Sequence, residues 1–357
     1  MKKRYLILED GTIFQGWGFG ADDTVIGELV FTTNMVGYVE TLTDPSYYGQ
    51  IILQTFPLIG NYGIMEEDFE GTPRLFGYVV KEWCPTPSNF RCGCTVDEFL
   101  KQHRIPGLWG VDTREITTRI REYGVVNAMI SDTIPEDWSD IAAYSVRDAV
   151  AHATCAAPTE YPALGEEKHH VVLVDYGAKG NIIRSLRKRG CRVTAVPAST
   201  SAEEILALNP DGIMLSNGPG DPAENVGPIA ELKKLLGKKP IFGICLGHQL
   251  LALAAGGQTV KLKYGHRGGN QPCRLVGTRR TFITSQNHGY AVVAGSVPGG
   301  VERFVNANDG TCEGMDYPEL NAFTVQFHPE ACSGPKDTNF LFQRLIDMME
   351  GKSYAAE

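Results

Sequence analysis

From His170 onward the chain alternates short apolar runs with helix-like segments, and that alternation leaves few folds open. "HVVLVDYG" reads as a buried strand, and "NIIRSLRKRG" as a helix whose Gly190 suits a C-terminal stop. "CRVTAVP" is a second strand, and "SAEEILALNP" opens with Ser201 and Glu204 at the spacing of a capping box. "DGIMLS" is a third strand that leads into the loop "NGPGDP", and "PIAELKKLLG" is the helix after it. "PIFGI" and "LGHQLLALAAGG" complete a fourth strand and helix. Strands joined by helices in this way predict an α/β domain with a doubly wound, mostly parallel sheet. Ligands of such sheets bind beyond the C-terminal strand ends. Cys245 and the loop Asn217 to Pro222 both fall at such ends.

The N-terminal half reads differently. Short runs such as "RYLILE" and "ELVFTT" are separated by Gly and Asp-Pro turns, with a helix near "TREITTRIREYG". We expect a smaller α+β domain over residues 1–153 and a linker over 154–168, where Pro158, Pro162 and Gly165 interrupt a polar, aperiodic stretch. The α/β domain then covers 169–357.

Several functional classes fall away on composition. A formal net charge of −9 argues against a nucleic-acid binder. "MKKRYLILEDG" has too short an apolar run for an export signal and reads as a first strand. Nine cysteines without framework spacing suggest free thiols in a reducing cytoplasm. Cys84, Cys92 and Cys94 invite a zinc reading, but no second pair or histidine knuckle accompanies them, so no metal ligands are assigned. The uncharged run from Pro240 to Val260 has the length of a membrane span. His248 and Gln249 at its middle, and Gly256 and Gly257 beyond them, argue against one. Neither "DYGAKGN" nor "NGPGDP" completes a dinucleotide fingerprint, and no phosphate-binding loop ending in Gly-Lys-Ser/Thr occurs, so no cofactor is placed on this chain.

Gly243-Ile-Cys-Leu-Gly247 has the form of a nucleophile elbow with cysteine at its tip. The two glycines let the backbone turn without a Cβ clash. The helix starting near Leu246 aims its positive end at the sulfur and favours a thiolate, and the Leu246 N–H is a natural oxyanion donor. A base is available in "FTVQFHPEA": Pro329 keeps the backbone extended, so His328 and Glu330 project to one side. Glu330 can then hold one imidazole nitrogen while the other faces the thiol. In "SNGPGDP", Gly218 is a candidate second oxyanion donor. The other reading of that loop is a Gly-Pro turn with no further role.

Together "GICLGHQ", "NGPGDP" and "FHPE", in this order and spacing, resemble the class I (triad) glutamine amidotransferases. "NMVGYVETLTDPSYYGQIILQTFPLIGNYG", "LWGVDTREITTRIREYG", "VDYGAKGNIIRSL" and "SQNHGYAV" resemble the small chain of carbamoyl-phosphate synthetases, across nearly the whole length. The resemblance implies glutamine hydrolysis by a Cys245, His328 and Glu330 triad. It also implies that glutamine is held by Ser46, Gly218, Gly220, Leu246, Gln249, Asn287, Gly289 and Tyr290. Tyr290 stands where the family often has Phe. The implied partner is the large synthetase chain, in a heterodimer or higher assembly. That chain would carry ATP, a metal ion and bicarbonate, and make carbamoyl phosphate for arginine and pyrimidines. Two other readings stay in view: a stand-alone cysteine hydrolase, and a noncatalytic scaffold subunit whose active part is the N-terminal half. Arg114, Arg119 and Arg121 are either partner contacts or solvated charges of a helix face.

Overall fold

The structure, a computed structural model, describes residues 2–352. These divide into two compact units on either side of the Arg147–Asp148 bond.

The first unit is built on a closed barrel. Its strands follow the order Lys3–Leu8, Ile13–Gly20, Pro106–Trp109, Gly77–Val80, Gln50–Gln54, Val25–Thr32 and Val126–Ser131. Closure comes from the first and last strands pairing antiparallel, with Tyr5 opposite Ser131 and Leu8 opposite Ala128. A barrel has no edge strand, so no row of N–H and C=O groups is left unpaired. Phe19, Val30, Ile52, Tyr78 and Phe99 pack together in its core. Arg4 is 1% exposed and acts as a pin across the closure. Its guanidinium donates to the carbonyls of Phe19, Ala21 and Gly107 at 3.1, 2.8 and 3.1 Å and to Asp132 at 2.8 Å. The predicted helix is present as Thr113–Tyr123, with Asp112 accepting from the N–H groups of Arg114 and Glu115, and it buries Ile116 and Ile120. Arg119 on that helix donates to Thr12 Oγ1 at 3.2 Å.

The second unit holds a ten-stranded sheet. Five strands form a parallel block in the order Cys191–Pro197, His169–Asp175, Gly212–Leu215, Ile241–Ile244 and Ala322–Val325. The four strand–helix pairs read from the sequence fall in this block, and both hydrogen bonds of the Ser201–Glu204 capping box are made. Alternate residues serve opposite faces, as the two-residue strand period requires. Val172, Val174, Ile213 and Leu215 pack with Ile205, Leu232 and Leu250 from three helices. On the other face Val171, Leu173, Met214 and Phe242 pack with Ile182, Leu186, Phe342 and Leu345 from two more. Phe242 stacks on Phe323 at 4.3 Å and meets Phe342 edge-on at 5.6 Å. Truncating such a ring to alanine typically costs about 3–5 kcal/mol.

The sequence does not announce what continues the sheet. Beyond Ala322–Val325 the strands Cys312–Tyr317, Val301–Asn306, Thr259–Leu275 and Thr281–Val292 add on antiparallel, the last two as a long hairpin. Residues 154–168, read as a linker, lie within the second unit. Thr159–Tyr161 pairs antiparallel with the strand Cys191–Pro197 and covers that edge of the sheet. Polar composition misled here because an edge strand exposes most of its side chains. Among the described residues no helix is long and apolar enough to cross a membrane.

Candidate active site

The strand Ile241–Ile244, buried at all four positions, runs directly into the helix Leu246–Ala254. Cys245 is the hinge between them, at φ 53° and ψ −103°. A non-glycine residue rarely adopts positive φ, and such strain persists only where the surroundings enforce it. Here the Cys245 N–H donates to the Val325 carbonyl at 2.8 Å and the Gly247 N–H to the Ser216 carbonyl at 3.0 Å. The flanking glycines are required by space. A Cβ on Gly243 would stand 2.8 Å from the Gly247 carbonyl oxygen, and one on Gly247 would stand 2.5 Å from that of Leu215. Leu246 opens the helix, where backbone N–H groups have no intrahelical acceptor.

His328 and Glu330 follow the neighbouring strand, which ends at Val325. Both are buried, and His328 Nδ1–H donates to Glu330 Oε1 at 2.7 Å. That bond leaves Nε2 buried and turned from the carboxylate. Burial and the Lys179 charge press the imidazole down, but Glu330 and the Cys245 sulfur outweigh them and raise it to about 9. Burial pushes the Glu330 carboxyl up, while the His328 charge and hydrogen bond and the Lys179 charge pull it down, and the net direction is down. The Cys245 sulfur has the Asn287 carbonyl oxygen at 3.7 Å.

The loop after Leu215 is pinned by its own side chains. Ser216 Oγ accepts from the Tyr176 N–H at 2.9 Å and donates to the Asn217 carbonyl at 2.7 Å. Asn217 accepts from the Lys179 N–H at 3.0 Å and donates to the Gly177 carbonyl at 3.0 Å. Gly218 sits against Leu246: a Cβ there would come 2.8 Å from Leu246 Cδ2 and 2.4 Å from the Tyr176 carbonyl oxygen. Gly220 has φ 87°. Opposite, Gln249 Nε2 donates to the Tyr290 carbonyl and to Gln326 Oε1, both at 2.9 Å, which ties the elbow helix to the strand carrying Asn287, Gly289 and Tyr290.

The chain is 50% identical to the carbamoyl phosphate synthase small chain of Syntrophotalea carbinolica, with 98% of each chain covered. It is 51% identical to that of Staphylococcus epidermidis, covering 98% of this chain and 97% of the relative. Against that of Bacillus cereus it is 50% identical, with 98% and 96% covered. The chain belongs to the carbamoyl phosphate synthase small-chain family. Two family models divide it in the same way as the structure. The small-chain CPSase domain matches residues 6–130, within the first unit, and the class-I glutamine amidotransferase matches residues 172–348, within the second.

Within this family frame, the second unit brings together Cys245, Leu246, Gly218, Gln249, Asn287, His328 and Glu330. Ser46 belongs to the first unit, where it lies in the short 3₁₀ turn Pro45–Tyr47 and its N–H donates to Asp44 Oδ1 at 2.9 Å. Sequence reasoning missed Lys179. Its ammonium lies 3.3 Å from His328 Nδ1 and 3.7 Å from Glu330 Oε1. Since Nδ1 already donates its proton to Glu330, the lysine meets the carboxylate. Its position just past the C-terminal end of His169–Asp175 was the available signal, because residues at such strand ends face the working edge of the sheet. The thiols of Cys84 and Cys92 donate to the carbonyls of Thr86 and Cys94 at 3.3 Å each.

Proposed function

We propose that this chain is the glutaminase subunit of a glutamine-dependent carbamoyl phosphate synthetase, with Cys245, His328 and Glu330 as its catalytic triad. The observation that carries the reading is the strained Cys245 at a strand-to-helix hinge beside a buried His328–Glu330 pair. Cys245 Sγ attacks the side-chain carboxamide carbon of glutamine, and His328 Nε2 takes the thiol proton. The N–H groups of Leu246 and Gly218 receive the negative charge that develops on the carbonyl oxygen. The C–N bond breaks, ammonia leaves with the proton from His328, and a thioester remains. Water, deprotonated by the same ring, attacks the thioester; the sulfur regains its proton and glutamate leaves. Glu330 fixes the ring tautomer throughout. Glutamine is held on the second unit by Gly218, Gly220, Leu246, Gln249, Asn287, Gly289 and Tyr290.

Near neutral pH free ammonia is mostly ammonium, which is no nucleophile, so the product must pass directly to a synthetase. That recipient is the large chain, in a cytoplasmic heterodimer or a higher assembly. It binds ATP, a metal ion and bicarbonate, while this chain needs no cofactor. The carbamoyl phosphate formed serves arginine and pyrimidine synthesis. The deciding experiment uses the assembled enzyme. Cys245→Ala should remove glutamine-dependent synthesis, by a factor on the order of 10⁶ where the triad acts as a unit, and leave ammonia-dependent synthesis intact. Retained glutamine use would make this chain a scaffold. Full hydrolytic activity of the isolated wild-type chain, with no large chain bound after gentle purification, would make it a stand-alone hydrolase.

A further inference from the structure

A second buried histidine cluster lies in the antiparallel half of the sheet. His266 and His288 face each other across the hairpin, as direct partners in its register. Glu313 reaches them from the strand Cys312–Tyr317. One ligating atom from each of the three lies within 4.8 Å of the others, and all three residues are buried.

The outer hydrogen bonds decide which ring nitrogens face inward. His266 Nε2 lies 2.8 Å from Asp309 Oδ2, an acceptor, so Nε2 carries a hydrogen, and Nδ1 faces Glu313 Oε1 at 3.2 Å. His288 Nδ1 lies 2.8 Å from the Tyr290 carbonyl, so its Nε2 presents a lone pair inward, 3.9 Å from Glu313 Oε1. Gln286 Oε1 stands 3.1 Å from that same nitrogen, because the amide end of Gln286 is turned to Cys273 Sγ and Thr284 Oγ1, each at 3.2 Å. Asn306 Nδ2 donates into the group, 3.2 Å from Glu313 Oε1 and 3.4 Å from His266 Nδ1. Glu313 Oε2 is buried without a hydrogen-bond partner among the described residues. Ring nitrogens and carboxylate oxygens that converge in a buried space share a proton or a metal ion.

We propose that His266, His288 and Glu313 form a binding site for one divalent transition-metal ion of the zinc type. Two imidazoles and a carboxylate are a donor set that such ions favour. Tetrahedral bonds of about 2.1 Å put neighbouring ligand atoms roughly 3.4 Å apart; Glu313 Oε1 lies 3.2 and 3.9 Å from the two ring nitrogens and all three atoms lie within 4.8 Å, so the side chains close inward on an ion. Each ring is held from behind, one by a carboxylate and one by a backbone carbonyl, which is how metal-bound histidines are oriented. Asp309, half-exposed, connects the cluster to solvent. His288 also lies between Asn287 and Tyr290, whose carbonyls meet Cys245 and Gln249, so an ion here would stiffen the strand beside the elbow.

The test is a Co²⁺ titration of the full chain after chelator treatment, followed by visible absorption. One equivalent should bind with the ligand-field bands of low-coordinate Co²⁺, without the intense near-ultraviolet band of thiolate ligation, and Zn²⁺ should displace it. Asp309→Asn, at an exposed side chain that folding tolerates, should weaken binding about 10- to 100-fold. Glu313→Gln should weaken it further. Failure of the wild-type chain to bind, a thiolate band that places the ion on the cysteines, or unchanged affinity in Asp309→Asn would each overturn the proposal. Failure to bind would leave a proton as the shared cation.

Discussion

Two buried histidine–carboxylate pairs sit in one sheet, and the same residue types behave in opposite ways. At the end of the parallel block, Glu330 faces His328 and the Lys179 ammonium. In the antiparallel extension, Glu313 faces His266, His288 and the Asn306 amide. Burial pushes both carboxyls up. For Glu330 the His328 and Lys179 charges win and the acid is held below its ordinary value. For Glu313 the nearby His266 ring and the Asn306 amide do not offset burial, and the acid is raised. Burial alone therefore does not decide how a carboxyl is charged. A fixed cation beside it settles the matter at the elbow; without that, the other pair takes a proton or an ion from solution.

Removing one carboxylate from each pair should separate the two most sharply. Glu330→Gln should lower kcat for glutamine hydrolysis by about 10²–10⁴, since the ring loses the acceptor that sets its tautomer, with KM for glutamine nearly unchanged. Asp309→Asn, in the other cluster, should leave kcat for glutamine within about twofold, the scatter expected of an exposed substitution. If both variants lose activity alike, the clusters work as one device and not as two independent pairs.

Lys179→Met is the next step down in effect. Glu330 has a lowered folded value, so its ionised form contributes stability above its unfolded value of about 4.3, and that contribution is lost as pH falls through the lower folded value. Without Lys179 the folded value rises, and the acid-side loss should begin at higher pH. His328, raised to about 9, contributes below its unfolded value of about 6.5 and loses that contribution as pH rises through about 9. Lys179 opposes its protonation, so the ring's midpoint should also move up in the variant. Loss of the ion pair to a buried carboxylate should cost about 1–3 kcal/mol at neutral pH. Denaturant unfolding across pH, together with imidazole resonances of His328, reads both shifts. Unmoved midpoints would mean that Lys179 is a bystander.

How much of this was visible beforehand follows from the range of the interactions. The parallel block was legible because each strand and helix is written in a contiguous apolar pattern, and the elbow because Gly243, Cys245 and Gly247 lie within five residues. His328 and Glu330 were legible because Pro329 fixes their relation locally. The barrel was not, since its closure joins Tyr5 to Ser131 and no local pattern encodes that pairing. Lys179 was hidden because a lone lysine in a Gly-rich turn reads as a solvated charge. The cluster of His266, His288 and Glu313 was hidden for another reason. It comes from three strands, and only the hairpin register, offset by bulges between Lys261 and His266 and between Gly268 and Gln271, brings the two rings together.

Ser201→Ala makes the smallest change and separates local charge effects from general loosening of the sheet. Any destabilised variant could lose activity or metal simply by opening more often. The capping box at Ser201 and Glu204 lies on neither cluster, and its loss should cost about 1 kcal/mol of stability. If charge compensation governs the two pairs, this variant should unfold earlier in denaturant yet keep the wild-type glutamine kcat, the wild-type His328 midpoint and the wild-type Co²⁺ affinity. A drop in any of these three would show that general loosening of the sheet contributes to the effects of Glu330→Gln, Lys179→Met and Asp309→Asn, and each would then have to be measured against a variant of matched stability.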